Sequence, residues 1–245
     1  MNTPLPITVI IPCYNMANTL ARAVESALEA GAENVSILND YSTDESARVV
    51  MRLESKYPNV RGYSHSAKHG VVYSRNFMIL CLMREHNRDL IVPLDADDTL
   101  TPDGLRLLYE AYQPDTWVYG GWCERKSFYL STATLNPPVE IHPEKAYEAP
   151  PPGMLNRKNI CYATMLFHRD DWQKAGGYNP LFEIGAEDYA FQCALTHAGV
   201  MPVRVEGIIH TRYTSANGGG RSERAAKLWP HLHALAKELY PNAFD

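Results

Sequence analysis

The sequence predicts an α/β protein with parallel βαβ units and helices on both faces of a central sheet, and three observations carry that expectation. Short β-branched apolar runs alternate four times with amphipathic stretches over the first ~110 residues, the pattern of strand–helix–strand crossovers. The runs exit into polar, acid-bearing loops, as strands do where a parallel sheet presents its ligand-binding rim. The chain has 245 residues, 45% of them apolar, which suits one large domain with a substantial core. We expect a single domain over 1–245, with a ligand-binding half at 1–115, a second half at 116–210, and a Gly-rich loop with C-terminal helices at 211–245.

The elements follow in order. "ITVII" (7–11) is a β-branched strand ending at Pro12, and Asn18 is placed to cap a helix carrying Leu20, Val24, Ala27 and Leu28 at helical spacing. "NVSIL" (34–38) is a second strand. Ser42 and Glu45 have capping-box spacing before a helix with Ala47, Val50, Met51 and Tyr57 along one side. A short strand near Val60 leads through Gly70 to an apolar helix ending about Leu82, and "LIVPL" (90–94) is the next strand. Thr101 as N-cap, Pro102 at the first helical position and the Leu105, Leu108, Tyr109, Tyr112 stripe predict another helix. Beyond it, 116–122 and 163–168 read as strands, the Pro-rich 136–154 segment as a long surface loop, and 186–199 as a helix stopped by Gly199. The tail stripe Ala225, Leu228, Leu232, Leu235, Leu239 is helical, with Pro230 starting a second helix or kinking the first.

Composition excludes several classes. Cys13, Cys81, Cys123, Cys161 and Cys193 lack pairing and CxxC spacing, which argues against a disulfide framework or a structural zinc site and for a reducing compartment. No run reaches the roughly 18 to 20 apolar residues that span a bilayer, and the N-terminus lacks a basic leader, so a soluble cytoplasmic protein is expected. A net charge of -5 does not support a general nucleic-acid binder. In the tail, Arg204, Arg212, Arg221, Arg224 and Lys227 outnumber Glu206 and Glu223, with His210, His231 and His233 interleaved: a solvated helix face, or a clamp for something anionic.

The most informative stretch is "LIVPLDADDTL" (90–100), where Asp95, Asp97 and Asp98 crowd a strand exit. Three carboxylates so close repel one another unless a cation sits among them. An Asp-x-Asp-x-Thr end could serve a phosphatase of the haloacid dehalogenase type, an Asp-x-Asp end could hold a divalent metal beneath a diphosphate, and the bland alternative is a loop before a helix N-terminus. The phosphatase reading needs the motif on the first strand with a later Lys; here three strands precede it and no clear Lys motif follows.

Four further segments favour the diphosphate reading. "VIIPCYNMANTLARAVESAL", "VSILNDYSTDESARVV", "KHGVVYSRN" and "KAGGYNPLFEIGAEDYAFQCAL" accompany "LDADD" in an order that resembles glycosyltransferase family 2, over most of the chain. Cys13 departs at the family's Thr position, and Asn39 and Tyr41 stand where the family's Val-Asp-Asp-Gly-Ser-Thr-Asp segment has its first Asp and its Gly. The resemblance implies a GT-A fold: a Rossmann-like βαβ nucleotide-binding half with a mixed central sheet, continuous with a smaller acceptor-binding half. It further implies an inverting transfer from a nucleotide diphosphate sugar, with Mn²⁺ or Mg²⁺. The donor site it implies comprises Pro12, Tyr14, Asn15, Asp40, Arg75, Asp95 and Ala96, with Asp97 on the metal and Asp95 on ribose or metal-bound water. Asp98 is left between a functional role and that of a helix-entry acid.

Asp40 falls on the Asp that usually receives uracil, and a carboxylate accepting from N3–H distinguishes uracil from cytosine, so UDP is the first expectation and dTDP shares the edge. By resemblance Asp188 is the base for the acceptor hydroxyl and Glu187 supports it or contacts the acceptor. Their place at a helix N-terminus, where the dipole favours a carboxylate, argues for an ionised base at neutral pH. His210 is a candidate metal or diphosphate ligand, with Arg212 able to fill the same role, and Gly218 to Gly220 suggest a mobile lid. A nucleotidyltransferase would need a Gly-rich loop after the first strand, and "PCYNMANT" has no glycine. A sugar-nucleotide-binding module or partner subunit without turnover is the alternative from a different class; it would have no need of Asp188. The acceptor is open among glycan, lipid-linked sugar, protein and modified nucleic acid, with Trp122, Tyr129 and the Pro-rich loop as its wall by position.

Overall fold

The computed structural model describes residues 3–85, 90–128, 139–140, 145–155, 158–183, 185–215 and 221–244. Gly218 to Gly220, Tyr129 and much of the Pro-rich segment lie outside the described residues. The strands are β1 (Leu5–Cys13), β2 (Ala32–Asn39), β3 (Val60–Ser64), β4 (Leu90–Pro93), β5 (Thr99–Leu100), β6 (Thr116–Phe128), β7 (Val139–Glu140), β8 (Lys145–Tyr147), β9 (Phe167–His168) and β10 (Met201–Ser215). The helices are α1 (Leu20–Glu29), α2 (Ser46–Lys56), α3 (Val71–Glu85), α4 (Gly104–Ala111), α5 (Arg169–Lys174), α6 (Glu187–His197) and α7 (Arg221–Leu239).

Strand order in the first sheet is β3-β2-β1-β4-β9, parallel except for β9, which runs antiparallel to β4. The chain moves outward from β1 to β3 and then returns to place β4 on the other side of β1. That reversal opens a crevice at the carboxyl ends of β1 and β4, where ligands of such sheets bind. Alternation along β1 sends Ile7, Val9 and Ile11 into a core shared with α1, α2 and α4, and Ile10 into a second core shared with α3, α6 and α7. Burial of each such side chain contributes about 1.5–3 kcal/mol. The second sheet, β5-β10-β6-β7 with β8 also on β6, joins the first through a bridge between Val118 and Leu166.

Several expected boundaries shift, and at Ser42 and Thr101 the side chain expected to cap a helix serves a different partner. Helix α1 starts at Leu20 behind Thr19, not behind Asn18. Ser42 and Glu45 form no capping box: Ser42 Oγ accepts from the Asn15 N–H, Ser46 Oγ from Met16, and Asp44 from Ala17 and Ser46. The loop before α2 thus satisfies the orphan donors of the loop after β1. Thr101 does not cap α4, which starts at Gly104; its hydroxyl donates to the Ile208 carbonyl and its N–H to that of Ile209, extending the pairing with β10. Only 167–168 of the expected 163–168 strand is strand. Helix α7 runs through Pro230, which is exposed, because Trp229, Leu232 and Ala236 on its other sides pack on the core and Trp229 meets the Tyr189 ring at 4.8 Å.

Candidate active site

The loops after β1, β2 and β4 meet on one rim. Asn15 Oδ1 accepts from the Thr43 N–H at 2.8 Å, and the Arg22 guanidinium of α1 donates to the Asp97 carbonyl at 2.8 Å while lying over the Tyr213 ring at 3.6 Å. Among the described residues, three of the four non-glycine residues with left-handed backbone stand at the start or end of the site's elements: Asn15 after β1, Tyr41 after β2 and Ala186 before α6, with φ of 55°, 60° and 64°. Tyr41 occupies the position where the family's motif has Gly, and its φ supplies the reason for that glycine. Pro12 and Ala96 are half-buried and buried at the crevice floor, and the exposed Tyr14 ring carries the Lys68 ammonium 3.5 Å above it.

Asp95, Asp97 and Asp98 each bring one carboxylate oxygen within 4.8 Å of the others. Burial and the Asp95 charge push Asp97 up to about 6, and burial followed by its two neighbours holds Asp98 well above the ordinary carboxylate range. Repulsion of this kind is what a divalent cation relieves, and an all-oxygen set suits Mg²⁺ or Mn²⁺. Asp98 is not a helix-entry acid. Its Oδ1 accepts from the Tyr213 N–H at 2.9 Å, tying the acidic turn to β10.

Arg75 is fully buried and holds the acids. Its Nη2 donates to Asp95 at 2.8 Å, and its Nη1 to Asp188 at 2.5 Å with Glu187 at 3.4 Å. One guanidinium therefore joins the acid cluster after β4 to the acid pair opening α6. The adjacent Asn76 fixes the approach to α6: it receives the Tyr178 N–H at 2.9 Å and donates to the Tyr178 carbonyl at 2.8 Å. Gly176 and Gly177 precede this clamp with φ of 77° and 76°, and a Cβ on Gly177 would press on Asn76 and Trp172. Burial raises Asp188 to about 7, against the lowering influence of Arg75 and with Glu187 and Asp95 adding to the rise.

Asp40 is buried at the end of β2 and already well engaged. It accepts from His65 Nδ1 at 2.9 Å, from the His69 N–H at 2.9 Å and from the Gly70 N–H at 2.7 Å. Glu183 accepts the next two, from Val71 and Val72 at 2.9 and 2.8 Å, so two distant carboxylates satisfy four backbone donors at the start of α3. With about four lone-pair sites on a carboxylate, Asp40 retains one.

His210 of β10 stands opposite Leu100, two residues after Asp98, and is outside the set whose ligand atoms converge. It is fully buried, neither ring nitrogen has a hydrogen-bond partner among the described residues, and burial lowers it to about 4 with Asp95 opposing, so it is a neutral imidazole. Orphaned nitrogens next to an oxygen cluster fit a residue awaiting a cation. Arg212 approaches Glu124 at 3.8 Å, covers the Tyr162 ring at 4.3 Å and acts electrostatically on Asp97, Asp98 and His210.

Residue-by-residue reading missed His65, Glu183, Arg22 and Asn76. His65, His69, Tyr73 and Phe77 recur every fourth position and their rings touch in sequence, a signal that was present in the spacing. Nothing local marks Glu183, 112 residues from Val71.

A family model described as Glycosyl transferase family 2 matches residues 8–170. A chondroitin synthase of Escherichia coli is 32% identical over 201 residues, which cover 79% of this chain and 27% of that protein. A hyaluronan synthase of Pasteurella multocida is 27% identical over 201 residues, covering 79% of this chain and 19% of that one. The chain thus spans about a quarter or less of these relatives' length. Among solved structures, S. aureus TarS 1–349 in complex with UDP-GlcNAc superposes with a TM-score of 0.60 at 13% identity, over 89% of this chain and 61% of that one. At that identity the likeness speaks for the fold, which is GT-A. The family match covers the strand ends that bear Asp40 and the Asp95–Asp98 cluster as well as Arg75, and on it the protein belongs to glycosyl transferase family 2.

Proposed function

We propose that the chain is an inverting, metal-dependent glycosyltransferase that moves a sugar from a UDP-sugar to an acceptor hydroxyl. The observation that carries this reading is the Arg75 bridge, which sets a metal-suited acid cluster and a near-neutral base on two sides of one space. Asp188, held near pH 7, takes the acceptor O–H proton. The acceptor oxygen forms its bond to the anomeric carbon as the bond from that carbon to the diphosphate oxygen breaks, and the electron pair leaves with UDP. Asp97 and Asp95 would hold a divalent cation, with His210 adjacent, and that cation when bound stabilises the charge gathering on the diphosphate. Glu187, 3.4 Å from the same guanidinium, keeps Asp188 oriented. Adjacent helical positions diverge by about 100°, so one of the two acids faces the reacting carbon.

Support for UDP comes from the UDP-GlcNAc complex of the structural neighbour and from the remaining lone pair of Asp40, which can accept from uracil N3–H. The names of the relatives, chondroitin and hyaluronan synthases, support transfer to a polysaccharide-type product. Among the described residues no helix is long and apolar enough to cross a membrane. The five cysteines, none of them in a disulfide, fit a reducing, cytoplasmic setting.

The test is thermal stabilisation by UDP-, dTDP-, GDP- and CMP-sugars with and without Mn²⁺. A Mn²⁺-dependent shift confined to uridine or thymidine nucleotides is expected, and it should vanish in Asp97→Ala. Equal shifts without metal, or retained metal-dependent transfer in Asp97→Ala, would sink the assignment.

A further inference from the structure

Across the second sheet, Tyr147 of β8, Trp122 of β6, His210 of β10 and Leu100 of β5 stand at facing register positions. Facing positions project to one side of a sheet, so these side chains form a row. The Trp122 and Tyr147 rings stack at 5.4 Å and 15°, and Tyr162 meets Trp122 edge-on at 5.1 Å and His210 at 6.5 Å. Two residues further along the strands, Lys145, Glu124 and Arg212 form the next row on the same face, with Arg212 over the Tyr162 ring.

The two rows differ from a core and from an ordinary surface. Trp122, Tyr147 and Tyr162 are each only half-buried, whereas Trp117 and Tyr119 earlier on β6 are fully buried. The aromatic row includes His210 of β10, the strand whose Tyr213 N–H donates to Asp98, so it leads to the acid cluster. Its open side is edged by two cations and a carboxylate. Trp122 and Tyr147 cover part of each other's faces, and the Lys145 ammonium lies over the Tyr147 ring at 4.9 Å. The half-exposed pair therefore offers its ring edges and remaining face area, bordered by charged hydrogen-bonding groups, to a pyranose whose C–H groups pack on aromatic rings while its hydroxyls reach polar partners.

We propose that this row is the acceptor subsite and that the acceptor is a carbohydrate: its terminal pyranose lies on Trp122 and Tyr147, and Lys145, Glu124 and Arg212 bind its hydroxyl or carboxylate groups. The inference rests on the glycosyltransferase reading above. Trp122 and Tyr147 are acceptor-binding residues, distinct from the Asp188 base and from the Asp97 metal set.

UDP release by the full chain is measured from UDP-glucose, UDP-galactose, UDP-N-acetylglucosamine and UDP-glucuronic acid with Mn²⁺. Each is run alone and with p-nitrophenyl glycosides of the same four sugars, a prenyl phosphate, or a serine-containing peptide. At least one glycoside should accelerate UDP release over hydrolysis. Trp122→Ala and Tyr147→Ala should raise the glycoside KM by about tenfold while the donor KM stays constant, the mark of a lost acceptor contact. Trp122→Phe, which keeps a ring, should recover most of the loss and guards against misfolding of the Ala variant. Acceleration confined to the prenyl phosphate or the peptide overturns the proposal, as does hydrolysis that no glycoside accelerates, or a Trp122→Ala effect on the donor KM alone. Absence of UDP release from all four donors would instead remove the glycosyltransferase reading on which it stands.

Discussion

Arg75 and Asp188 form a 2.5 Å ion pair across 113 residues of sequence, and the other terminal nitrogen of the same guanidinium reaches Asp95 at 2.8 Å. Arg75 is fully buried whereas Asp95 is partly open, so the bridge is anchored on the base side and reachable from the metal side. Removing a buried cation that pairs several carboxylates leaves their charges uncompensated, which destabilises by about 3–5 kcal/mol. Arg75→Gln should therefore lower the melting temperature markedly. Arg75→Lys retains charge without the two-armed reach. It should recover part of the stability while transfer stays at least about tenfold down. Full activity in Arg75→Lys would show that charge alone suffices and that the bridge has no positioning role.

Asp188 supplies the pH dependence. With burial holding its carboxyl near 7, the ionised base is lost as pH falls, and kcat/KM should decline below about 7. Asp188→Asn should reduce transfer by roughly 10²–10⁴-fold and leave Mn²⁺-dependent donor stabilisation in place. A pH–rate profile flat from 5.5 to 8, taken as about one unit or more on either side of 7, would assign the proton to another group.

Stability without metal should run opposite to the usual carboxylate trend. Asp188, Asp97 and Asp98 are all raised in the folded state, so between about pH 4 and 7 the native chain binds more protons than the unfolded one and loses stability as pH rises. His210, lowered to about 4, works the other way: its contribution is lost as pH falls below its unfolded value near 6.5. Three acids against one imidazole predict a higher melting temperature at pH 5 than at pH 8 in EDTA. Mn²⁺ should restore stability at pH 8, because a cation favours the ionised acids. The same pH slope with and without Mn²⁺ would speak against a metal at these residues.

Tyr41 tests the backbone rather than the chemistry. Its φ of 60° strains a side chain that is 54% exposed and has little burial to lose. Tyr41→Gly should stabilise the fold by about 1 kcal/mol, read as a rise in denaturant midpoint at unchanged slope. A loss of stability would mean that the Tyr41 ring contributes more than the strain removes.

The alternation of strands and helices, the acidic exits of β2 and β4, and the acid pair opening α6 were legible in the sequence because each is a local pattern. Periodicity reports burial over a few residues, and carboxylates at a strand exit are adjacent in the chain. Tertiary structure alone decided that Arg75 joins the acids after β4 to those opening α6, that Asp98 fastens to Tyr213, and that Asp40 and Glu183 share the donors of α3. It also decided helix starts: Ser42 and Thr101 had the right spacing for caps, but backbone donors and acceptors from other loops claimed their hydroxyls. The physical reason is the same in each case. A buried polar group must find a partner, and which of many candidates lies within about 3 Å depends on packing across more than 25 residues of chain, which no local pattern encodes.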